Sequence, residues 1–445
     1  MRFKNLLVTL ILANPWLPLR ANEWRQFRGP DGQGHATTAK DLPTSWSESE
    51  NVIWKAAIPG RGWSSPVFAG PTVWLTTAIE HSLSQQELEV ARAKKLAQNP
   101  LAKEMDLVGS VVLCAIGINA STGQLEQKID LFELTDLDPI HSLNSFASPS
   151  PVLDGKMLYC HFGELGTACI DTVSKSVLWQ KKLASKHSVG PGSSPIIYQD
   201  LFIVPCDGTE QQYVVALDKK TGQQVWKKNR PPMTGSEGDM HKAFSTPLLT
   251  TVGGRDVVII PGAQWVVAYN PADGEEIWRV SYGEGFSNVP RPIVGQDMVY
   301  VCTGFMSPQL WAIALNGSGD VTQSHVKFKV TKQIPSMASP VLVDDQIYFV
   351  SDQGVATTVN ATTGKPVWTK RISGNFAASP LYADGMIYFS SQEGKTTIIR
   401  PASTYQEVAV NSLDGQLMAS PAVLDQSLLL RSQSHLYRIG KKTSP

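Results

Sequence analysis

Apolar residues along the chain fall into short runs cut off by Gly, Pro, Asn and Asp, and two markers alternate strictly among them. The first is a Ser-Pro pair, or a near equivalent, that opens an apolar run: Ser65-Pro66, Ser150-Pro151, Ser194-Pro195, Thr246-Pro247, Arg291-Pro292, Ser339-Pro340, Ser379-Pro380 and Ser420-Pro421. Proline is tolerated at the first residue of a strand, where its missing N–H breaks no ladder bond, so these pairs predict eight strand starts. A second short run follows most of them, as in Met157 to Cys160 and Ile347 to Val350. The other marker is a turn with a Trp eight residues after an Asp or Asn, complete in Ala216 to Trp226 and repeated at Trp179, Trp278 and Trp368. Gln127, Phe328 and Val408 stand in weaker copies. Asp171 and Asp218, like Asn270 and Asn360, are suited to cap the turn through nearby backbone, and the indole is placed to fill the wedge between neighbouring sheets.

After the first, the prolines recur every 40 to 52 residues or so, the length of one four-stranded sheet per repeat. The first interval is about twice as long. Its insertion, Ser82 to Gln98 within a segment of about 80–110, has acid and amide residues early and Lys94 and Lys95 late, which predicts one helix. The last repeat lacks a Trp strand, while Val52-Ile53-Trp54-Lys55 precedes the first and carries an indole in the docking position. Joining the two removes an open sheet edge. The pattern therefore predicts an all-β fold over 50–445: an eight-bladed β-propeller of four-stranded antiparallel blades, closed by an N-terminal strand in the last blade, with a helical insertion in the first. Residues 22–49 show no period and either wrap the ring or stay loose.

Lys+Arg and Asp+Glu balance at 39 each and charged residues are only 18% of the chain, which argues against a nucleic-acid partner. Arg2 and Lys4 before an apolar stretch from Leu6 to Ala13 read as an export signal over 1–21, cleaved after Ala21 or retained as an anchor. Export implies a periplasmic or secreted protein, and no segment is long and apolar enough to predict a transmembrane span. Five cysteines are an odd number for an oxidising compartment. Cys160 and Cys169 flank the turn Gly163 to Gly166 symmetrically and either face each other across a hairpin or are small buried core residues.

With its repeats, its opening WRQFRGPDGQG (Trp24 to Gly34) and the segment GFSNVPRP (Gly285 to Pro292), the chain resembles the pyrroloquinoline-quinone (PQQ) type propeller family. That family includes quinoprotein alcohol dehydrogenases and an outer-membrane assembly factor, and the likeness is greatest to the PQQ-like repeat proteins of planctomycete-type bacteria. In the dehydrogenases the resemblance implies a flat tricarboxylate quinone with Ca²⁺, cations, an aromatic floor and a disulfide between adjacent cysteines; no Cys-Cys pair occurs here. The loops before each Ser-Pro open on one face and offer Arg61, Trp63, His141, Asn144, His187, His241, Asn288 and Arg291 as candidate ligand or partner contacts. The three histidines suit a metal or acid–base chemistry, or are hydrogen-bonded loop residues. Arg291, fixed between prolines, is aimed at an anion or at a neighbouring loop. No phosphate loop, HExxH, CxxC, GxSxG or EF-hand pattern is present. Two readings follow. One is a monomeric, non-catalytic extracytoplasmic scaffold for a protein, peptide or glycan partner, in envelope or outer-membrane biogenesis; the other is a PQQ- and Ca²⁺-dependent alcohol or sugar dehydrogenase.

Overall fold

In a computed structural model the described residues, 23–97, 100–235 and 238–441, form eight antiparallel sheets whose strands follow the repeat order. The proposed export signal lies outside the described residues. Blade 2 shows the pattern: Val152–Asp154 innermost, then Met157–His161, Thr167–Asp171 and Ser176–Lys181 outermost. Blade 8 is composite. Its first three strands, Ala422–Leu424, Ser427–Arg431 and His435–Ile439, are completed by Val52–Ala57, with Trp54 opposite Arg438. The front of the chain thus closes the ring as the sequence pattern predicts.

The predicted insertion helix runs Gln85–Leu96 in the first blade, where Ser84 and Glu87 form a reciprocal capping box and Lys94 and Lys95 sit in the last turn. Three blades gain a fifth strand. Glu23–Trp24 joins the innermost strand of blade 1, His35–Ala36 runs parallel to that of blade 7, and Gly319–Asp320 runs parallel to the outermost strand of blade 4.

Every outermost strand carries a bulge just before the docking position: Ile53, Glu126, Leu178, Val225, Ile277, Lys327, Val367 and Val408 are the residues stepped over. The extra residue steepens the local twist. This corrects one assignment from the repeat pattern: in blade 7 the docking position belongs to Ala409, opposite Ile398, and Val408 points outward. Each indole meets the turn of the following blade. Trp54, Trp179, Trp226 and Trp368 donate to the carbonyls of Ala120, Lys219, Pro271 and Ala402 at 2.9 to 3.2 Å. Trp278 differs: it is fully buried beneath the added strand at Gly319, and its Nε1 has no partner. Gly222 shows why the turns need glycine: its φ is +70°, and a Cβ there would lie 2.8 Å from the Trp179 ring.

Cys160 and Cys169 do not face each other. Cys160 pairs with Ala168 and Cys169 with Tyr159, so a one-residue offset puts the two thiols on opposite faces of the sheet. All five cysteines are buried and free.

Candidate functional site

The Ser-Pro pairs do more than open strands. Each serine amide donates to the hydroxyl of the next blade: Ser420 to Ser65, Ser65 to Ser150, Ser150 to Ser194 and Ser194 to Thr246, then Arg291 to Ser339, Ser339 to Ser379 and Ser379 to Ser420, at 2.9 to 3.1 Å. These bonds trace a circle around the ring axis, interrupted only between Thr246 and Arg291, where the hydroxyl is replaced by a guanidinium. A repeated serine was visible in the sequence as a strand opener, but its role as an interblade acceptor was not.

At that interruption the N-terminal segment attaches. Arg291 is 1% exposed and donates from Nε to the Pro247 carbonyl at 3.0 Å, from Nη1 to the Phe27 carbonyl at 2.6 Å and from Nη2 to Gln26 Oε1 at 3.2 Å. Arg28 reaches the Pro340 carbonyl, His35 the Leu342 carbonyl, the Val294 amide donates to Gln33, and the Leu153 amide donates to the Arg25 carbonyl. Residues 23–36 therefore touch the innermost strands of blades 1, 2, 5, 6 and 7 and cross the central channel. The neighbouring stretch continues outward over blade 7 to blade 8: the Leu42 amide donates to Asp384, the Trp46 amide to Asn411, and Glu48 accepts from the Asp414 amide and Tyr437. Gly32 lies so flat on Arg291 that a Cβ would sit 2.3 Å from Nη1. The segment without a period is therefore not loose: residues 23–36 form a plug, and the stretch after them wraps over blades 7 and 8.

The other candidates stitch one loop to the next. Arg61 grips Asp106 at 2.9 and 3.0 Å and the Asn144 carbonyl at 2.6 Å. Asn144 in turn donates to the carbonyls of Val189 and Pro191, and buried Asn288 donates to Tyr282 and to the Cys302 carbonyl. His187 is buried against Phe244 with Ser185 at Nε2, and burial, aided by Lys242, pushes it down to about 4, so it is neutral at neutral pH. His141 bonds the Leu143 amide and His241 lies near the Thr234 carbonyl. Among the described residues no group of three His, Cys, Asp or Glu side chains is arranged to hold a metal ion. Trp63 is nearly buried, with its Nε1 unpartnered.

A flat tricarboxylate quinone needs free cations around an open slot. Here Arg61, Arg230 and Lys242 are each paired with a carboxylate, Asp106, Asp207 and Asp239, at 2.9, 2.6 and 2.7 Å, and Arg291 holds the plug. Arg431 lacks a carboxylate partner but is only 1% exposed, so none of these is a free cation bordering an open slot and these residues do not fit the quinone. The loop face also leaves two large apolar side chains open: Phe305 and Met306 are 55% and 75% exposed beside a groove of about 450 Å³ lined by Gln309, Gln333, Ser351 and Asp352. Neither residue carried a sequence signal, because an apolar pair in one loop has no period.

The profile of the family described as outer membrane protein assembly factor BamB matches residues 77–243 and 210–443, most of the ring. The chain belongs to the BamB family. A BamB of Yersinia pestis is 27% identical over 168 residues, 36% of this chain and 39% of that protein, so the match spans well under half of that relative. The crystal structure of BamB from Moraxella catarrhalis aligns over 88% of this chain and 98% of its own at 15% identity and a TM-score of 0.57. Quinohemoprotein alcohol dehydrogenase from Comamonas testosteroni aligns over 95% and 81% at 10% identity and a TM-score of 0.62. At such identities these two structures speak for the fold alone, which BamB-family chains share with the dehydrogenases.

Proposed function

We propose that this protein is a non-catalytic scaffold of the cell envelope that binds a protein partner on the loop face of its ring, in the assembly of outer-membrane proteins. The observation that carries the reading is the division of the loop face. Arg61, Asn144, His187 and Asn288 are held by neighbouring protein groups and Arg291 by the plug, while Phe305 and Met306 stand exposed beside a groove. Exposed apolar side chains rimmed by polar ones suit a protein interface, and a rigid ring presents them without an ordering cost. Family membership supports the assembly role, and the basic and apolar N-terminal pattern supports a periplasmic or secreted location. Among the described residues no helix is long and apolar enough to cross a membrane.

The test is a photo-crosslinking residue at Met306 in living cells, together with the double substitution Phe305→Asp and Met306→Asp. The expected result is a crosslink to a component of the outer-membrane assembly machinery, and lower outer-membrane protein levels in the double variant with its thermal stability unchanged. Saturable one-to-one binding of PQQ with Ca²⁺, accompanied by alcohol-dependent dye reduction, would overturn the non-catalytic reading.

A further inference from the structure

Arg431 ends the second strand of blade 8 and is 1% exposed. One corner of its guanidinium is anchored, with Nη1 donating to the Ser64 carbonyl at 2.8 Å and to Ser64 Oγ at 2.5 Å. Nε and Nη2 are sealed from solvent and have no partner. These two donors form the edge with which arginine takes an anion two-handed. Gly62 passes close by: a Cβ on it would lie 2.7 Å from Nη2. Trp63, between Gly62 and Ser64, is 9% exposed, and its Nε1 is likewise buried and unpartnered.

The unpartnered nitrogens of Arg431 and Trp63 are all donors. No carboxylate among the described residues pairs with Arg431, and burial alone lowers it, to about 9, so it keeps its charge at neutral pH. A buried charge without a counter-ion is strongly unfavourable. Water could meet the two N–H groups but would leave the charge uncompensated, and with Gly62 packed against Nη2 only a small ion could be taken in.

We propose that Arg431, together with Trp63, holds a buried halide-sized anion, chloride under physiological conditions, at the seam between blade 8 and blade 1. This seam is where the N-terminal strand closes the ring, so the ion acts as a counter-charge for closure.

Purified full-length protein is dialysed into sodium gluconate and its unfolding midpoint followed as chloride or bromide replaces gluconate at constant ionic strength. Crystals grown in bromide are examined for anomalous scattering. The expected results are a saturable rise of several degrees with either halide, a bromide peak bonded to both Nε and Nη2, and a several-fold weaker halide response in Trp63→Phe. Arg431→Gln should lose the saturable response; if that variant does not fold, the bromide peak and Trp63→Phe decide. Chloride retained through dialysis would appear as one ion per chain by ion chromatography of the denatured protein and would support the site. A halide-independent midpoint with no peak and no retained ion, as a water site gives, overturns the proposal, as does a peak with no effect in solution, which marks an adventitious ion only.

Discussion

Replacing Arg291 by Ala separates a ligand-binding arginine from a plug clamp. The substitution removes three donors and leaves the carbonyls of Pro247 and Phe27 and the amide oxygen of Gln26 facing a cavity. An unsatisfied buried acceptor costs about 1 kcal/mol at the low end, so the three together with the lost packing come to roughly 4 kcal/mol. Against this stands relief of a buried guanidinium whose charge those three oxygens and nearby Asp31 already offset in large part, a remaining cost of about 1 kcal/mol, leaving a net loss of about 3 kcal/mol. If that loss falls on the plug, its local opening equilibrium rises by roughly 150-fold. Amide hydrogen exchange followed by mass spectrometry reads this directly on peptides covering residues 24–36, whose Gly29, Gly32 and Gly34 amides are bonded within the segment. Exchange in the outer strands should be nearly unchanged. Arg291→Lys should recover only part of the protection, because an ammonium cannot reproduce the fork. If Arg291→Ala leaves exchange in 24–36 as it was, the arginine does not hold the plug and the account of the channel is wrong.

Further expectations concern the ring itself. Ser379→Ala strands the buried Ser339 amide and should cost about 1–3 kcal/mol in urea unfolding, while Ser379→Thr, the residue used at position 246, should retain most of the stability. Gly222→Ala forces a side chain into a left-handed conformation against Trp179 and should cost at least about 1–2 kcal/mol, with a change in tryptophan fluorescence. Trp54→Ala, at the closure strand, should lower stability by about 3–5 kcal/mol. His161 and His187 are pushed down to about 3 and 4 by burial. Below the ordinary value near 6.5 the unfolded chain takes up protons that the folded one refuses, so stability is intact above that pH and falls as pH drops towards 4. At pH 5.5 the loss is about 1.4 kcal/mol per histidine, and a His161→Gln/His187→Gln variant should show a correspondingly flatter profile between pH 7.5 and 5.5.

The parts of this molecule legible in its sequence are those governed by local periodicity. Ser-Pro starts and Trp-bearing turns report strand ends and interblade packing that recur at fixed spacing, which is why the blade number, the closure at Trp54 and the helix after Ser84 could be read from residues alone. The plug could not, because it is held by guanidinium–carbonyl bonds between residues far apart in the chain, and Gln26, Phe27 and Arg291 leave no periodic trace. A signal did exist. In a series of seven hydroxyl residues before proline, Arg291 is the exception, and the exception marks the attachment point. The docking position in blade 7 was misread by one residue because a bulge shifts the register silently and Ala409 offers no large side chain to reveal it.

The composite eighth blade also imposes an order of events. Residues 52–57 leave the ribosome long before residues 435–439, yet residues 435–439 are the strand they pair with. The circle therefore cannot be finished piecemeal from the front: its first-made edge must wait, unpaired, for nearly the whole length of the chain, and that waiting edge is the point at which slow maturation, chaperone dependence or exchange of strands between two copies would begin.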